Sequence, residues 1–136
     1  MIARRNLFPE GLSKRVVGGH LLYAPVVTVV PGQLVFVAGL LARNAEGEIV
    51  GKGDMARQIR QVGENLKIAL AAAGATLDDL VRTQTFTTDI DAFFRYVDVR
   101  MEYFGALPTS TTVEVKRLSH PDLMVEIEAF AVIEAD

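Results

Sequence analysis

Two carboxylates, Glu126 and Glu128, alternate with apolar Val125, Ile127 and Ala129 near the end of the sequence. A carboxylate in a partly buried cleft works as a general base when its pKa is raised. The same alternation also describes an ordinary strand with one solvated face. A hydroxyl run, Ser110-Thr111-Thr112, follows Pro108. It could form a polar wall for a neutral or hydroxylated ligand, although β-branched Thr suits any strand. Nucleophilic serine chemistry is not expected, because there is no G-x-S-x-G elbow and nothing in the sequence places a His beside Ser110. His20 and His120 are the only histidines, and each stands in a loop among Gly or Pro. Without an H-E-x-x-H spacing or cysteines they do not predict a metal centre, so no metal and no cofactor are expected. The absence of cysteine also removes disulfides and thiolate catalysis, and fits a cytoplasmic protein.

The elements that must hold these residues are legible from periodicity. Met55, Ile59, Val62, Leu66, Ala69, Leu70 and Ala73 recur at helical spacing, with Arg57, Arg60, Gln61, Glu64 and Lys67 on the other side. Asp54 is placed to cap the start of that helix, and Gly74 to end it. A second helix is expected after Asp89 or Asp91, with Phe93, Phe94, Val97, Met101 and Phe104 as its apolar stripe and Gly105 at its end. Strands are predicted at Leu21–Val30, Leu34–Ala42, Leu80–Thr88, Thr111–Lys116 and Met124–Glu134. Pro31-Gly32 should turn the chain between the first two. Leu34–Ala42 has strand composition without a helical period and reads as buried on both faces. Residues 1–20 read as an irregular entry segment able to add an edge strand.

This order, ββαβαββ, predicts an α+β domain in which two helices cover one face of a mixed sheet. The other face would still carry Phe130, Val132 and side chains of Leu34–Leu41. Self-association is the simplest way to bury such a patch.

Composition narrows the function classes. The chain has 136 residues, the size of one domain, and half of them are apolar. The formal net charge is −3, and basic residues never cluster beyond pairs such as Arg4-Arg5, which disfavours a nucleic-acid partner. The start, MIARRNLFPEG, is not followed by the apolar run of a secretory signal. The longest apolar run, LVFVAGLLA, is less than half of the ~20 residues that a membrane span requires.

LVFVAGLLA, then ARQIRQVGENLKIALAAAGATLDDLVRTQTFTTDIDAFFRYVDVRMEYF, then TTVEVKRL with VEIEAFAV, in this order, resemble the RidA family, the reactive intermediate deaminases also described as endoribonuclease L-PSP-like proteins. The resemblance covers roughly residues 25–133. It implies a single chorismate-mutase-like domain over residues 1–136, assembled as a homotrimer with small-molecule sites in clefts between subunits. The implied activity is hydrolysis of enamines and imines to ketones and ammonia. The family's water-positioning glutamate matches Glu126, and the glycine ending its VFVSG strand matches Gly39. Its N-terminal tyrosine falls on Pro25 without gaps, or on Tyr23 if two residues are inserted at Val30-Pro31. Thr112 stands where many members have Cys or Thr, and Asp98 where deaminases often have Asn.

One position departs from the pattern. Deaminases read Pro-Ala-Arg-Ser before the penultimate strand, and the arginine grips the substrate carboxylate. Here the block is Pro108-Thr109-Ser110-Thr111, with Ser110 in the arginine's place. A guanidinium gives a carboxylate two charge-assisted hydrogen bonds, and a serine offers one neutral donor. The expectation is therefore a small-molecule-binding trimer that hydrolyses some imine or enamine but not typical 2-aminoacrylate substrates. Arg117 is the nearest later arginine and the candidate for a relocated clamp, although its place past Lys116 suits a surface residue. A non-catalytic ligand-binding or regulatory trimer is the alternative, and an endoribonuclease stands behind both.

Overall fold

The computed structural model describes residues 3–30 and 32–135. Pro31, expected to turn the chain with Gly32, lies outside the described residues. The strands are β1 (Arg4–Leu7), β2 (Val16–Val17), β3 (His20–Leu21), β4 (Val26–Val29), β5 (Gln33–Leu41), β6 (Leu80–Thr87), β7 (Thr109–Glu114) and β8 (Val125–Ile133). The helices are α1 (Met55–Ala72), α2 (Ile90–Arg95) and α3 (Val97–Met101). A four-stranded sheet in the order β5-β8-β6-β7 is the body of the domain. β8 runs antiparallel to both neighbours, and β6 and β7 are parallel, so the sheet is mixed as expected.

β8 is central, and its alternation sorts the two faces. Val125, Ile127, Ala129 and Ala131 are buried against the helices with Val35 and Val37 of β5. Thr83, Thr85 and Thr87 of β6 lie opposite Ala129, Ile127 and Val125 and share that face. α1 packs on it through Met55, Ile59, Val62, Leu66 and Leu70, all buried. The Asp54 side chain accepts from the Arg57 amide at 3.0 Å, and Gly74 takes φ 78°, so both ends of α1 are as the sequence predicts.

Two buried features of α1 lie outside its apolar period. Gln58 donates from Nε2 to Gly51 O (3.1 Å) and Asp122 O (2.8 Å), and accepts from the Met124 amide at 2.8 Å. These bonds tie the helix to the loop that leads into β8. Gly63 faces the ring of Tyr103, which occupies the space a Cβ would need.

Three expectations are corrected. The segment Leu21–Val30 is not one strand. Gly18 and Gly19, at φ 57° and 80°, turn β2 into β3. Leu22 and Ala24 then tuck into the interior, with Ala24 N bonded to Leu107 O at 3.3 Å, before β4 begins. The second helix is split, because Tyr96 leaves helical geometry at φ −107°, ψ 35°, so three helices cover the sheet rather than two. β5 is covered on one face only: Leu34 and Phe36 are 62% and 69% exposed in the single chain. Phe36 and Phe130 meet edge to face across β5 and β8, with ring centroids 5.1 Å apart. Val132 belongs to the same face but is buried.

The entry segment does add a strand, β1, but it pairs with β4 and not with the main sheet. The Arg4 guanidinium fastens it, donating to the carbonyls of Asp78, Leu80 and Ala106.

Candidate functional site

The open face of the sheet presents Glu126. It lies opposite Leu41 on β5 and Phe86 on β6, and Glu128 lies opposite Gln84. The pairing of β5 with β8 is irregular between Val37 and Leu40, and Gly39 sits in that gap. A Cβ at Gly39 would stand 2.5 Å from Glu126 Oε1 and 3.1 Å from Cγ. Only glycine leaves the carboxylate this resting place, which is a reason for Gly at this position independent of backbone torsion. Partial burial pushes the Glu126 carboxyl above the ordinary glutamate value, and the neighbouring Glu128 charge adds to the shift. A raised carboxyl that stays partly solvated has the character of a base for a bound water.

Of the hydroxyl run, Ser110 and Thr112 belong to the other side of the sheet, while Thr111 lies beside Gln84 on the open face. In the parallel pairing of β6 with β7, Ser110 and Thr112 lie beside Thr83 and Thr85, on the helix-covered face. With Tyr23, Leu22, Arg15, Ile90, Phe94 and Arg100 they enclose a pocket of about 280 Å³. Tyr23, not Pro25, is therefore the residue of the N-terminal segment that lines it.

Arg100 is the surprise of this pocket. It sits within the apolar stripe of α3, is 2% exposed, and reaches the β7 edge. Its Nη2 donates to Ser110 Oγ at 3.1 Å and its Nη1 to Leu22 O at 3.2 Å. The guanidinium carbon stands 5.2 Å from the centre of the Phe104 ring. Its Nε is buried and has no hydrogen-bond partner among the described residues. Burial pushes its pKa down to about 10.

Arg117 lies elsewhere. It is exposed, bonds only weakly to the carbonyl of Leu118, and borders a separate depression with Lys116, Thr88 and His120. His20 bonds Asp98 at 2.6 Å, and His120 accepts from the Asp122 amide at 3.0 Å, so each histidine has its own partner. Among the described residues no three His, Cys, Asp or Glu side chains come together as metal ligands, and no helix is long and apolar enough to cross a membrane.

One chain thus holds two groups of candidate residues on opposite faces of the sheet: Glu126 with Gly39, and Ser110, Thr112 and Tyr23 with Arg100. Sequence reasoning named five of these six. Arg100 went unnoticed, although Phe93, Val97, Arg100 and Phe104 follow helical spacing and a lone arginine in an apolar stripe is the signal that could have found it.

A family profile described as Endoribonuclease L-PSP matches residues 21–133. A RutC family protein of Pyrococcus abyssi is 42% identical over 102 residues, covering 74% of this chain and 79% of its own. The RutC family protein YjgH of Escherichia coli is 32% identical over 135 residues, covering 95% and 96%. Among solved structures, the fold is similar to that of YyfB from Yersinia pestis, described as a Rid family protein of unknown function. That match has a TM-score of 0.82 at 32% identity and covers 96% of this chain and 98% of that one.

Proposed function

The chain belongs to the Endoribonuclease L-PSP family of Rid proteins, and from that premise we propose that it binds a small metabolite in clefts between identical copies and hydrolyses an imine or enamine there. The observation that carries this reading is the Glu126 carboxyl, raised by partial burial and seated against Gly39 on the uncovered sheet face. In the proposed step Glu126 holds a water and takes its proton as the oxygen attacks the imine carbon. Glu126 hands that proton to the nitrogen; the carbon–nitrogen bond then breaks as the new hydroxyl gives up its own proton to the nitrogen and becomes the carbonyl, and ammonia leaves. An enamine enters by tautomerising to the imine. No cofactor is required, because positioning and proton transfer supply the catalysis.

The cleft is proposed to need two copies, since Glu126 and the Ser110 pocket lie on opposite faces of one sheet. The uncovered apolar side chains Leu34, Phe36 and Phe130 support self-association through the face that carries Glu126. A neighbour's pocket edge packed there would close the site. We take the assembly to be a trimer, for which sedimentation equilibrium should return about three times 14.8 kDa; a monomer would remove the cleft.

The deciding experiment follows release of ammonia from an imine generated in situ, with buffer alone and Glu126→Ala as controls. Turnover lost in the variant, with its assembly intact, is the expected result. Equal rates in wild type, variant and buffer would leave the alternative, a non-catalytic ligand-binding trimer. The expectation that 2-aminoacrylate is a poor substrate rested on a missing cation at Ser110, and Arg100 now stands within hydrogen-bond distance of that serine.

A further inference from the structure

We propose that the depression beyond the C-terminal ends of β6 and β7 binds a small phosphate monoester, held by Lys116, Arg117, His120 and Thr88. In open sheets with parallel strands, ligands seat beyond the carboxyl ends of those strands, where the following residues are delivered together. β6 and β7 are the parallel pair of this sheet. Thr88 follows β6 directly, and Lys116 and Arg117 come shortly after β7. The loop that leads to β8 closes the third side, and the space is about 300 Å³. It shares no lining residue with the pocket of Ser110 and Thr112.

The walls are fixed, and their donors are unspent. Leu123 is buried, and its amide donates to His120 O at 3.0 Å. The Thr88 amide donates to Met124 O at 3.0 Å, which ties that wall to the start of β8. The Asp122 amide donates to His120 Nδ1 at 3.0 Å, so a neutral His120 ring carries its proton on Nε2 and can donate from there. Arg117 uses only its Nε, on Leu118 O at 3.4 Å. Among the described residues, His120 Nε2, Lys116 Nζ, the Nη groups of Arg117 and Thr88 Oγ1 have no partner. No carboxylate lines the depression. Asp122, beside it, turns its Oδ2 to Lys52 Nζ at 3.7 Å and to His120 Nδ1 at 3.9 Å.

This donor set selects the ligand. Two permanent cations match a dianion, and two neutral donors suit the further oxygens of a phosphate group. Leu118, Pro121 and Leu123 offer apolar surface to an organic group, which favours an ester over the bare ion. Lys116 and Arg117 stand as a pair without the basic stripe that would follow a polynucleotide backbone.

The inference does not depend on imine hydrolysis, and binding is measured without turnover. The isotope-labelled full chain is titrated at about pH 8, where ethyl phosphate is a dianion. Ethyl sulfate, similar in shape with one charge less, is compared at matched ionic strength while amide resonances are followed by NMR. Ethyl phosphate should shift Thr88, Arg117, Leu118 and His120 saturably, and ethyl sulfate should bind at least about threefold more weakly. Lys116→Gln and Arg117→Gln, both at exposed positions, should each weaken ethyl phosphate about three- to tenfold, and the double variant should lose saturable binding. Lys14→Gln, outside the depression, should bind as wild type does. No saturable shift, shifts centred on Ser110 and Thr112 instead, equal affinity for the two esters, or unchanged affinity in the double variant would each overturn the proposal. A short single-stranded oligoribonucleotide is the last arm. Shifts of the same amides at lower concentration than ethyl phosphate requires would assign the site to nucleic acid and overturn the monoester.

Discussion

Arg100 Nη2 and Ser110 Oγ are 3.1 Å apart, although one residue comes from a helix and the other from the sheet edge. Adding an arginine at position 110 would therefore not fill an empty place. Ser110→Arg should force a second guanidinium against the first, combining overpacking with like-charge repulsion. The expected cost is about 1–3 kcal/mol in denaturant unfolding. A variant as stable as wild type would mean that the new side chain escapes to solvent and that the pocket edge is open.

Gly39 is expected to act through Glu126. Gly39→Ala would place a methyl group against the carboxylate, and the far end of that side chain is free to swing away. Thermal unfolding should then change little while imine hydrolysis falls. Loss of fold instead of activity would show that the backbone at the β5 irregularity cannot accept a side chain at all.

The pH dependence of stability should carry the mark of Glu126. Its carboxyl titrates higher in the folded chain than in the unfolded one, where the ordinary value is 4.5. Between those two values the folded state binds more protons, so stability falls as pH rises through the window. Above it, the charged carboxylate is a standing penalty, reduced by its contact with solvent. Glu126→Gln should remove that slope and melt slightly higher than wild type at neutral pH, while losing turnover. A Glu126→Gln melting curve with the same pH slope as wild type would assign the slope to another group.

Gly63 lies in the middle of α1, where Ala would ordinarily be the better helix former. A Cβ there would stand 2.5 Å from the Tyr103 ring, which is buried and whose hydroxyl donates to Glu64 Oε2 at 2.8 Å. Gly63→Ala should accordingly destabilise, by about 1–3 kcal/mol, despite its helix propensity. Stabilisation would mean that the ring can move aside without loss.

Periodicity and local chemistry alone determined the long elements. The apolar period of α1, its Asp54 cap and Gly74, the strand composition of β5, and the alternation along β8 are repeats within a few residues, and a short window of sequence contains them whole. The same alternation marked Glu126 as facing away from the core. Tertiary structure decided what depends on residues far apart in the chain. It broke the expected strand at Leu22–Ala24, because those side chains are buried at the end of a turn that the Gly18-Gly19 pair creates. It split the second helix at Tyr96, where no glycine or proline gives warning. It also chose the partner of Ser110: sequence order made Arg117 the nearest later arginine, but β7 lies beside β6 at the sheet edge, and the helix following β6 returns over that edge. Arg100 is thereby brought to the serine in space; helical spacing marks Arg100 as part of a buried stripe, but which residue it meets depends on how the helix sits on the sheet edge.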